Sequence, residues 1–155
     1  MRPRADQAGI ELKVQNDAIG IVLNGDETAL KRVLVNLLAN AVKFSEAGTC
    51  VTVRSALAPE GQFSLAVEDQ GIGMAPEEIP LAMTPFQQVD IGLRRKYEGT
   101  GLGLPIAKEL VDLHGGQLKI ESERGKGTTV TILLPANRVT VMPSALLIAR
   151  VAAAG

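Results

Sequence analysis

The chain has 155 residues, of which 46% are hydrophobic, and its 16 basic and 17 acidic side chains give a formal net charge of −1. This length is typical of a single globular domain, the hydrophobic content excludes a largely disordered chain, and the balanced charge gives no electrostatic footprint for nucleic acid or a membrane surface. The single cysteine and single histidine exclude a disulfide framework and a metal site built from several such ligands. No apolar run approaches the roughly 18 residues of a transmembrane helix, and no apolar signal segment follows the N-terminus. A cytoplasmic location is therefore expected.

The N-terminal third of the chain predicts two short strands and a long helix. Residues 10–14 and 19–23 are apolar runs separated by a polar turn, which is typical of strands. Asp26 is a candidate N-cap, and from Glu27 to Lys43 the apolar residues recur with helical spacing. This segment carries the strongest helix signal in the sequence.

The middle of the chain predicts a hairpin followed by a long loop. Residues 50–57 and 62–69 alternate between apolar and polar side chains on either side of a Pro-Glu-Gly turn, which indicates an antiparallel hairpin. Residues 70–99 contain glycine, proline and mixed charge with little periodicity, apart from a short helix predicted near Pro76–Met83. Loops of this length inside compact domains are usually functional or mobile.

The C-terminal third predicts a second helix, a second hairpin and a tail. The helix covers residues 102–114, and the hairpin strands are residues 117–122 and 128–134. The tail begins near Ala136 and carries a short helix predicted from Pro143 to Val151. Strands interleaved with single helices, without strict alternation, predict an α+β fold in which helices cover one face of a sheet.

Three polar residues share one stripe of the long helix. Asn36 and Asn40 are four residues apart, and Lys43 follows three residues later. Asparagine is a poor helix former, so two in mid-helix need a reason. They are either solvated surface residues or amides that bind a hard cation, with the lysine nearby to meet an anion.

Two glycine-containing motifs suggest a binding pocket. Asp69 ends a predicted strand and is followed by Gly71 and Gly73, so it is either a side chain aimed into a pocket or part of an ordinary turn. Residues 99–104 (GTGLGL) lead into the second helix, where backbone N–H groups and the helix dipole can bind a phosphate, unless the glycines only start the helix. A further GKGT motif at residues 125–128 indicates a turn on its own.

Together these motifs resemble the nucleotide-binding boxes of one protein family. The stretches NLLANAVKF, DQGIGM, TPFQQVD, GTGLGLPIAKELVDLHGG and GKGTTVTILLP resemble the N box, first glycine box, phenylalanine box, second glycine box and third glycine box of the catalytic and ATP-binding domain of sensor histidine kinases. The resemblance runs from about Ile10 to Pro135. It implies a two-layer α/β sandwich with a mixed, mostly antiparallel sheet of about five strands, about three helices on one face, and a mobile lid over ATP.

The resemblance also implies a role for individual residues. Asn40 matches the magnesium ligand and Asn36 its upstream polar partner, Lys43 matches a phosphate contact, and Asp69 matches the acceptor of the adenine amino group. The full set of implied nucleotide contacts is Asn36, Asn40, Lys43, Phe44, Asp69, Gly71, Ile72, Gly73, Met74, Lys96, Gly99, Thr100, Gly101, Leu102, Gly103, Leu104 and Thr128.

The lid is expected to cover about Met74 to Glu98, with Phe86 as its packing anchor and Gly101 and Gly103 as hinges. Many family members carry an arginine in the phenylalanine box, where this chain has Gln88. The lid cation is then expected from one of three basic residues, Arg94, Arg95 or Lys96.

Two features of the sequence bear on the reaction that the resemblance implies. Gyrase-type proteins carry a glutamate four residues before the metal-binding asparagine, where this chain has Asn36, and an amide cannot act as a base at neutral pH. The only histidine, His114, is expected to be structural because it lies at a helix C-terminus, where a histidine suits the dipole. The phospho-accepting histidine, and with it any residue that reacts covalently, is therefore expected outside this chain.

These expectations combine into one functional hypothesis. Residues 10–135 form a domain that binds Mg²⁺ and ATP and donates the γ-phosphoryl group to a histidine on a separate dimerisation domain of the parent kinase, with a response regulator downstream. Residues 1–9 are then the end of a linker and residues 136–155 a tail, and no nucleic acid or direct membrane contact is expected. The alternatives are a degenerate ATP-binding regulatory module, a gyrase-type ATPase and a serine-phosphorylating relative such as an anti-sigma factor.

Overall fold

The computed structural model describes residues 1–87 and 100–142. The helix predicted between Pro143 and Val151 lies outside the described residues, as do residues 88–98 of the expected lid. Within the described part of the chain no helix is long and apolar enough to cross a membrane.

The described chain forms four helices and seven strands. In order they are α1 (Arg2–Gln7), β1 (Glu11–Asn16), β2 (Ile21–Leu23), α2 (Glu27–Phe44), β3 (Cys50–Leu57), β4 (Phe63–Asp69), α3 (Ile79–Ala82), α4 (Gly103–Leu113), β5 (Gln117–Glu123), β6 (Gly127–Leu134) and β7 (Val139–Val141). Short 3-10 turns cover Pro59–Gly61, Pro76–Glu78 and Ala136–Arg138. The predicted long helix, second helix and both hairpins are confirmed to within about two residues at each end.

Five strands form the main sheet in the order β1-β3-β4-β6-β5. β1 runs parallel to β3, which is possible because the long helix α2 connects them as a crossover, and all other neighbours are antiparallel. The register places Asp69 at the end of β4 directly opposite Thr128 of β6. The predicted mixed, mostly antiparallel sheet of an α+β fold is thereby confirmed.

The core lies between this sheet and the helices α2 and α4. Val33 and Leu37 of α2 and Val111 of α4 are at most 2% exposed, and they pack with Val51 and Val67 of the sheet. Burial of each such side chain contributes about 1.5–3 kcal/mol. α2 begins as predicted, because the Asp26 side chain accepts a hydrogen bond of 3.0 Å from the Ala29 N–H.

Both ends of the described chain contain elements that the sequence analysis did not assign. Ala5 of α1 is fully buried in the core, and the C-terminal strand β7 pairs with β2 in a separate two-stranded sheet. The proposed division into a linker end, a domain and a tail stays a prediction, but residues 1–9 and 136–142 pack against the elements between them.

His114 joins the end of α4 to the start of α2, which confirms its predicted structural role. Its imidazole Nε2 accepts a hydrogen bond of 3.1 Å from the Asp26 N–H, and Nδ1 lies 2.7 Å from the Leu110 carbonyl oxygen. Because Nε2 is an acceptor, Nδ1 carries the proton and donates to Leu110. The role therefore rests on these hydrogen bonds, not on a charge at the helix C-terminus. The Arg138 Nε adds a bond of 2.7 Å to the His114 carbonyl oxygen.

We expect His114→Ala to lower the free energy of unfolding by about 2 kcal/mol, since it removes both hydrogen bonds of a buried side chain. Urea unfolding measures the change. The control is Leu113→Ala, because Leu113 is adjacent but 69% exposed. Equal effects of the two substitutions would contradict the role of His114.

Candidate functional site

Asn40 of α2 packs against the N-terminus of α4. A Cβ built on Gly103 would lie 3.4 Å from Nδ2 and 3.5 Å from Oδ1 of Asn40, so the first residue of α4 packs on this amide. Asn40 makes no side-chain hydrogen bond within residues 1–87 and 100–142. One turn earlier, the buried Nδ2 of Asn36 also has no partner among the described residues. Both amides therefore have hydrogen-bonding capacity that no described residue uses.

The N-terminus of α4 has donors that no described side chain caps. Leu102 precedes the helix and provides no capping hydrogen bond, and the first turn contains no acidic residue. Pro105 has no N–H, which leaves the N–H groups of Gly103 and Leu104 at the positive end of the helix dipole. Asn40 and these donors form a polar surface suited to an anion and its counter-cation.

Lys43 lies near the C-terminal end of the same helix. Its Nζ is 4.6 Å from the centroid of the Phe44 ring, which is a cation–π distance. Partial burial lowers the pKa of the Lys43 ammonium group, because burial disfavours the charged form. The predicted phosphate contact Lys43 and the predicted nucleotide contact Phe44 thus pack against each other.

Asp69 is held by backbone donors at the end of β4. Its Oδ1 accepts hydrogen bonds from the N–H groups of Gly71 at 2.9 Å and Thr128 at 3.2 Å. Burial raises the pKa of the Asp69 carboxyl above its ordinary value, while the two backbone hydrogen bonds oppose this shift. Within the described residues no hydrogen bond reaches Oδ2, so this oxygen is available to accept from a ligand.

The loop after Asp69 packs directly against the backbone of α2 on one side and of β5 on the other. A Cβ on Gly71 would lie well under 3.0 Å from the Phe44 carbonyl oxygen, and one on Gly73, which has φ of +61°, would lie equally close to that of Glu123. The Ile72 N–H also donates to the Phe44 carbonyl oxygen at 3.2 Å. Glycine is required here because the backbone approaches α2 and β5 closely.

Ser122 is a part of the site that the sequence analysis missed. Its hydroxyl donates to the Gly127 carbonyl oxygen at 3.0 Å, shares a 2.8 Å hydrogen bond with the Thr128 hydroxyl and accepts from the Met74 N–H at 2.8 Å. It links the predicted contacts Thr128 and Met74. One indication of this was present in the sequence, because alternation along β5 places Ser122 on the same face as Ile120, which packs against the core.

The GKGT motif is more than a turn. Gly127 has φ of +112°, and a Cβ there would lie well under 3.0 Å from the Asp69 carbonyl oxygen. The motif therefore lets β6 approach the backbone next to the site carboxylate.

The structure leaves part of the predicted site untested. Lys96 and Gly99 lie outside the described residues, as do Gln88, Arg94 and Arg95. Thr100 is exposed, and a Cβ on Gly101, which has φ of +69°, would lie 2.6 Å from the Gln87 carbonyl oxygen. Phe86 was expected to be a packing anchor, but it is 77% exposed with φ of +63°. Among the described residues it therefore anchors nothing, because no core element lies over it.

Two curated relatives of this chain are named as histidine kinases. It is 42% identical over 116 residues to an uncharacterised sensor-like histidine kinase of Rhizobium meliloti, covering 74% of this chain. It is 37% identical over 135 residues to the histidine protein kinase DivJ of Caulobacter vibrioides, covering 87% of this chain. The chain spans 22% of the length of each of these two relatives.

Solved structures show the same fold. The mycobacterial sensor histidine kinase MprB is 33% identical with a TM-score of 0.73, over 86% of this chain and 87% of that one. Full-length ShkA, solved in complex with AMPPNP, is 32% identical with a TM-score of 0.75, over 86% of this chain and 27% of that one. These likenesses confirm the resemblance to sensor histidine kinase catalytic domains. Residues 25–138 match the sequence family of histidine kinase-, DNA gyrase B- and HSP90-like ATPases, and the chain belongs to that family.

Proposed function

We propose that this domain binds Mg²⁺ and ATP and donates the γ-phosphoryl group to a histidine on a separate dimerisation domain, in the cytoplasmic part of a two-component sensor kinase. The observation that carries the proposal is the layout of the site. At one part of it lies a partly buried carboxylate whose Oδ2 has no partner among the described residues, and at another the Asn40 amide lies against the start of α4, which no described side chain caps. The AMPPNP complex of the related ShkA protein supports this assignment.

The carboxylate of Asp69 is suited to select adenine. Its Oδ1 is occupied by two backbone N–H groups, which orient the side chain and leave Oδ2 to accept from the adenine amino group. A hydrogen bond to a charged acceptor is worth about 1.5–3 kcal/mol. Guanine presents a carbonyl oxygen at that edge, with no proton to share, so the site should prefer ATP to GTP.

The amides and the start of α4 are suited to the phosphates and their magnesium ion. Mg²⁺ prefers oxygen ligands and is commonly bound by one or two protein groups together with waters and substrate phosphates. The Asn40 amide oxygen fits such a contribution, since no described residue uses it. When bound, the ion would neutralise developing charge on the phosphates. The N–H groups of Gly103 and Leu104 and the ammonium group of Lys43 would hold the phosphate oxygens.

The residue type at position 36 favours phosphoryl transfer over hydrolysis. Asn36 stands where a hydrolytic relative carries its glutamate, and a neutral amide cannot activate water as a base. The acceptor is proposed to lie outside this chain, because both ring nitrogens of the buried His114 are engaged in hydrogen bonds. A dimerisation domain of the parent protein, acting before a response regulator, is the proposed partner.

Titration with Mg²⁺ and ATP, followed by radiolabelled transfer to a separately supplied dimerisation domain, tests the proposal. We expect saturable binding and label on the acceptor histidine. Binding without transfer to any acceptor would favour the regulatory module, and steady phosphate release without an acceptor would favour a gyrase-type ATPase.

We expect Asn40→Ala to abolish the magnesium-dependent part of ATP binding while the domain stays folded. Alanine is the better helix former, so α2 should keep or gain stability. Calorimetric titration with and without Mg²⁺, together with circular dichroism, measures both effects. Asn137→Ala, an exposed asparagine outside the site, is the control. An unfolded Asn40 variant would show that Asn40 is structural.

A further inference from the structure

A buried carboxylate outside the proposed nucleotide contacts is paired with an arginine from a distant turn. The Glu78 side chain is 11% exposed and the Arg124 side chain is 62% exposed. The guanidinium donates from Nε to Glu78 Oε2 at 3.2 Å and from a second nitrogen to Oε1. Glu78 Oε2 also accepts from the Ala75 N–H at 2.7 Å. The pair is thus bidentate, and it contacts the backbone at Ala75.

These two residues lie next to the end of the adenine-side loop, defined here as Gly71 to Met74. The turn that carries Arg124 contacts this loop directly, because the Gly125 N–H donates to the Ile72 carbonyl oxygen at 2.8 Å. The neighbouring Met74 N–H is held by Ser122, at the end of β5. The loop and the residue after it are therefore attached to the β5–β6 hairpin at Ile72, Met74 and, through Glu78, at Ala75.

We propose that Arg124 is a positioning residue for nucleotide binding, which acts through Glu78 and Ala75 to hold the adenine-side loop in the conformation that accepts the base. This inference rests on the proposed function, since it assumes that the loop contacts adenine. Neither Arg124 nor Glu78 needs to touch the nucleotide.

Electrostatics support a specific role for this pair. The hydrogen bond from Arg124 is the main cause that lowers the pKa of the Glu78 carboxyl below its ordinary value, and the Ala75 N–H adds to it. Glu78 is therefore an anion in the folded domain. Removal of the guanidinium would uncover this carboxylate and leave it with one backbone donor, so that water would have to replace the two lost charge-assisted hydrogen bonds. The Ala75 segment would then move to hydrate the carboxylate.

The same turn contains a matched control. Lys126 pairs with Glu123 at 2.8 Å, but the two side chains are 71% and 65% exposed. Such an exposed pair contributes little to stability and is screened by salt. Lys126→Ala removes one cation from the same turn without uncovering a buried charge.

The test compares Arg124→Ala, Arg124→Lys, Lys126→Ala and the double variant Arg124→Ala with Glu78→Gln. For each variant, hydrogen exchange of the Met74 and Ala75 amides in the nucleotide-free protein measures loop order. Equilibrium titration with ATP and GTP measures affinity and base preference, and thermal unfolding identifies variants that fail to fold.

We expect Arg124→Ala to speed exchange at both amides, to raise the Kd for ATP by roughly threefold to tenfold and to reduce the preference for ATP over GTP. Arg124→Lys, which keeps the charge without the bidentate geometry, should recover part of the affinity. The double variant should bind better than Arg124→Ala alone, because the glutamine introduced by Glu78→Gln carries no charge and its amide oxygen can still accept from Ala75. Lys126→Ala should behave as the unmodified chain.

The proposal is overturned if Arg124→Ala and Lys126→Ala have equal Kd values and exchange rates, or if the double variant is worse than Arg124→Ala. If Arg124→Ala does not fold, the same comparison is made with Arg124→Lys. An unmodified chain that binds no nucleotide would disprove the proposed function and with it the positioning role. The exchange data would then still show whether Arg124 orders the loop.

Discussion

Asp69→Asn is expected to weaken ATP binding by about tenfold to a hundredfold and to remove the preference for ATP over GTP, while the domain stays folded. The reason is the loss of a charge-assisted hydrogen bond worth about 1.5–3 kcal/mol. The amide oxygen that this substitution introduces can still accept from Gly71 and Thr128, so the local backbone should be preserved. Titration of both nucleotides measures the effect.

The same substitution should make the fold more stable at neutral pH. Burial raises the pKa of Asp69, so the native state binds its proton more tightly than the unfolded state does. The stability contributed by this group is therefore complete below its ordinary pKa and is lost as the pH rises through the raised folded value. Urea unfolding across this range should show a smaller loss with rising pH in Asp69→Asn than in the unmodified chain.

Glu68→Gln provides the control for Asp69. Glu68 is adjacent on β4 but pairs with Arg54 at 2.5 Å, and alternation along the strand places the two carboxylates on opposite faces of the sheet. Equal losses of ATP affinity in the two variants, or equal affinity for ATP and GTP in the unmodified chain, would contradict the role of Asp69.

Gly73→Ala is expected to have the largest effect on the fold, with a loss of roughly 3 kcal/mol or more in the free energy of unfolding. Gly73 has φ of +61°, and a Cβ would lie well under 3.0 Å from the Glu123 carbonyl oxygen, which is backbone and cannot turn away. The loop would have to leave β5, so ATP binding should be lost as well.

Gly125→Ala separates this clash from backbone strain. Gly125 has a similar φ of +76°, but no atom lies within 4 Å of the position of its Cβ. Gly125→Ala should therefore lower the free energy of unfolding only by the strain of a left-handed backbone, about 1–2 kcal/mol. Urea unfolding of both variants gives the comparison, and equal losses would mean that strain alone makes Gly73 necessary.

Elements with a strong local pattern were predictable from the sequence. α2 repeats its apolar residues over 18 residues, and each hairpin alternates around a turn, so local periodicity was sufficient. β7 has three residues and α1 has six, which is too few for a period to be recognised. Both are stabilised by tertiary contacts, with β2 and with the core, that the local sequence does not contain.

The site shows the same division. Asp69, Gly73 and Asn40 could be predicted as contacts because each lies in a short motif whose chemistry is visible in adjacent residues. The Arg124–Glu78 pair joins residues 46 positions apart, and only the folded hairpin brings them together. Ser122 was missed because a serine in an alternating strand carries no signal until its three hydrogen-bond partners surround it.

The pairing of β2 with β7 has a consequence for synthesis of the chain. β2 precedes α2, whereas its partner is the last described strand, and Arg138, just before β7, donates to the Asn24 and His114 carbonyl oxygens. During translation, β2 and the segment leading into α2 therefore lack their hydrogen-bond partners in β7 and Arg138 until nearly all of the domain has left the ribosome. Contacts between residues so far apart in the sequence form late and slow the folding reaction. The domain should therefore complete its native structure only after the C-terminal segment has emerged.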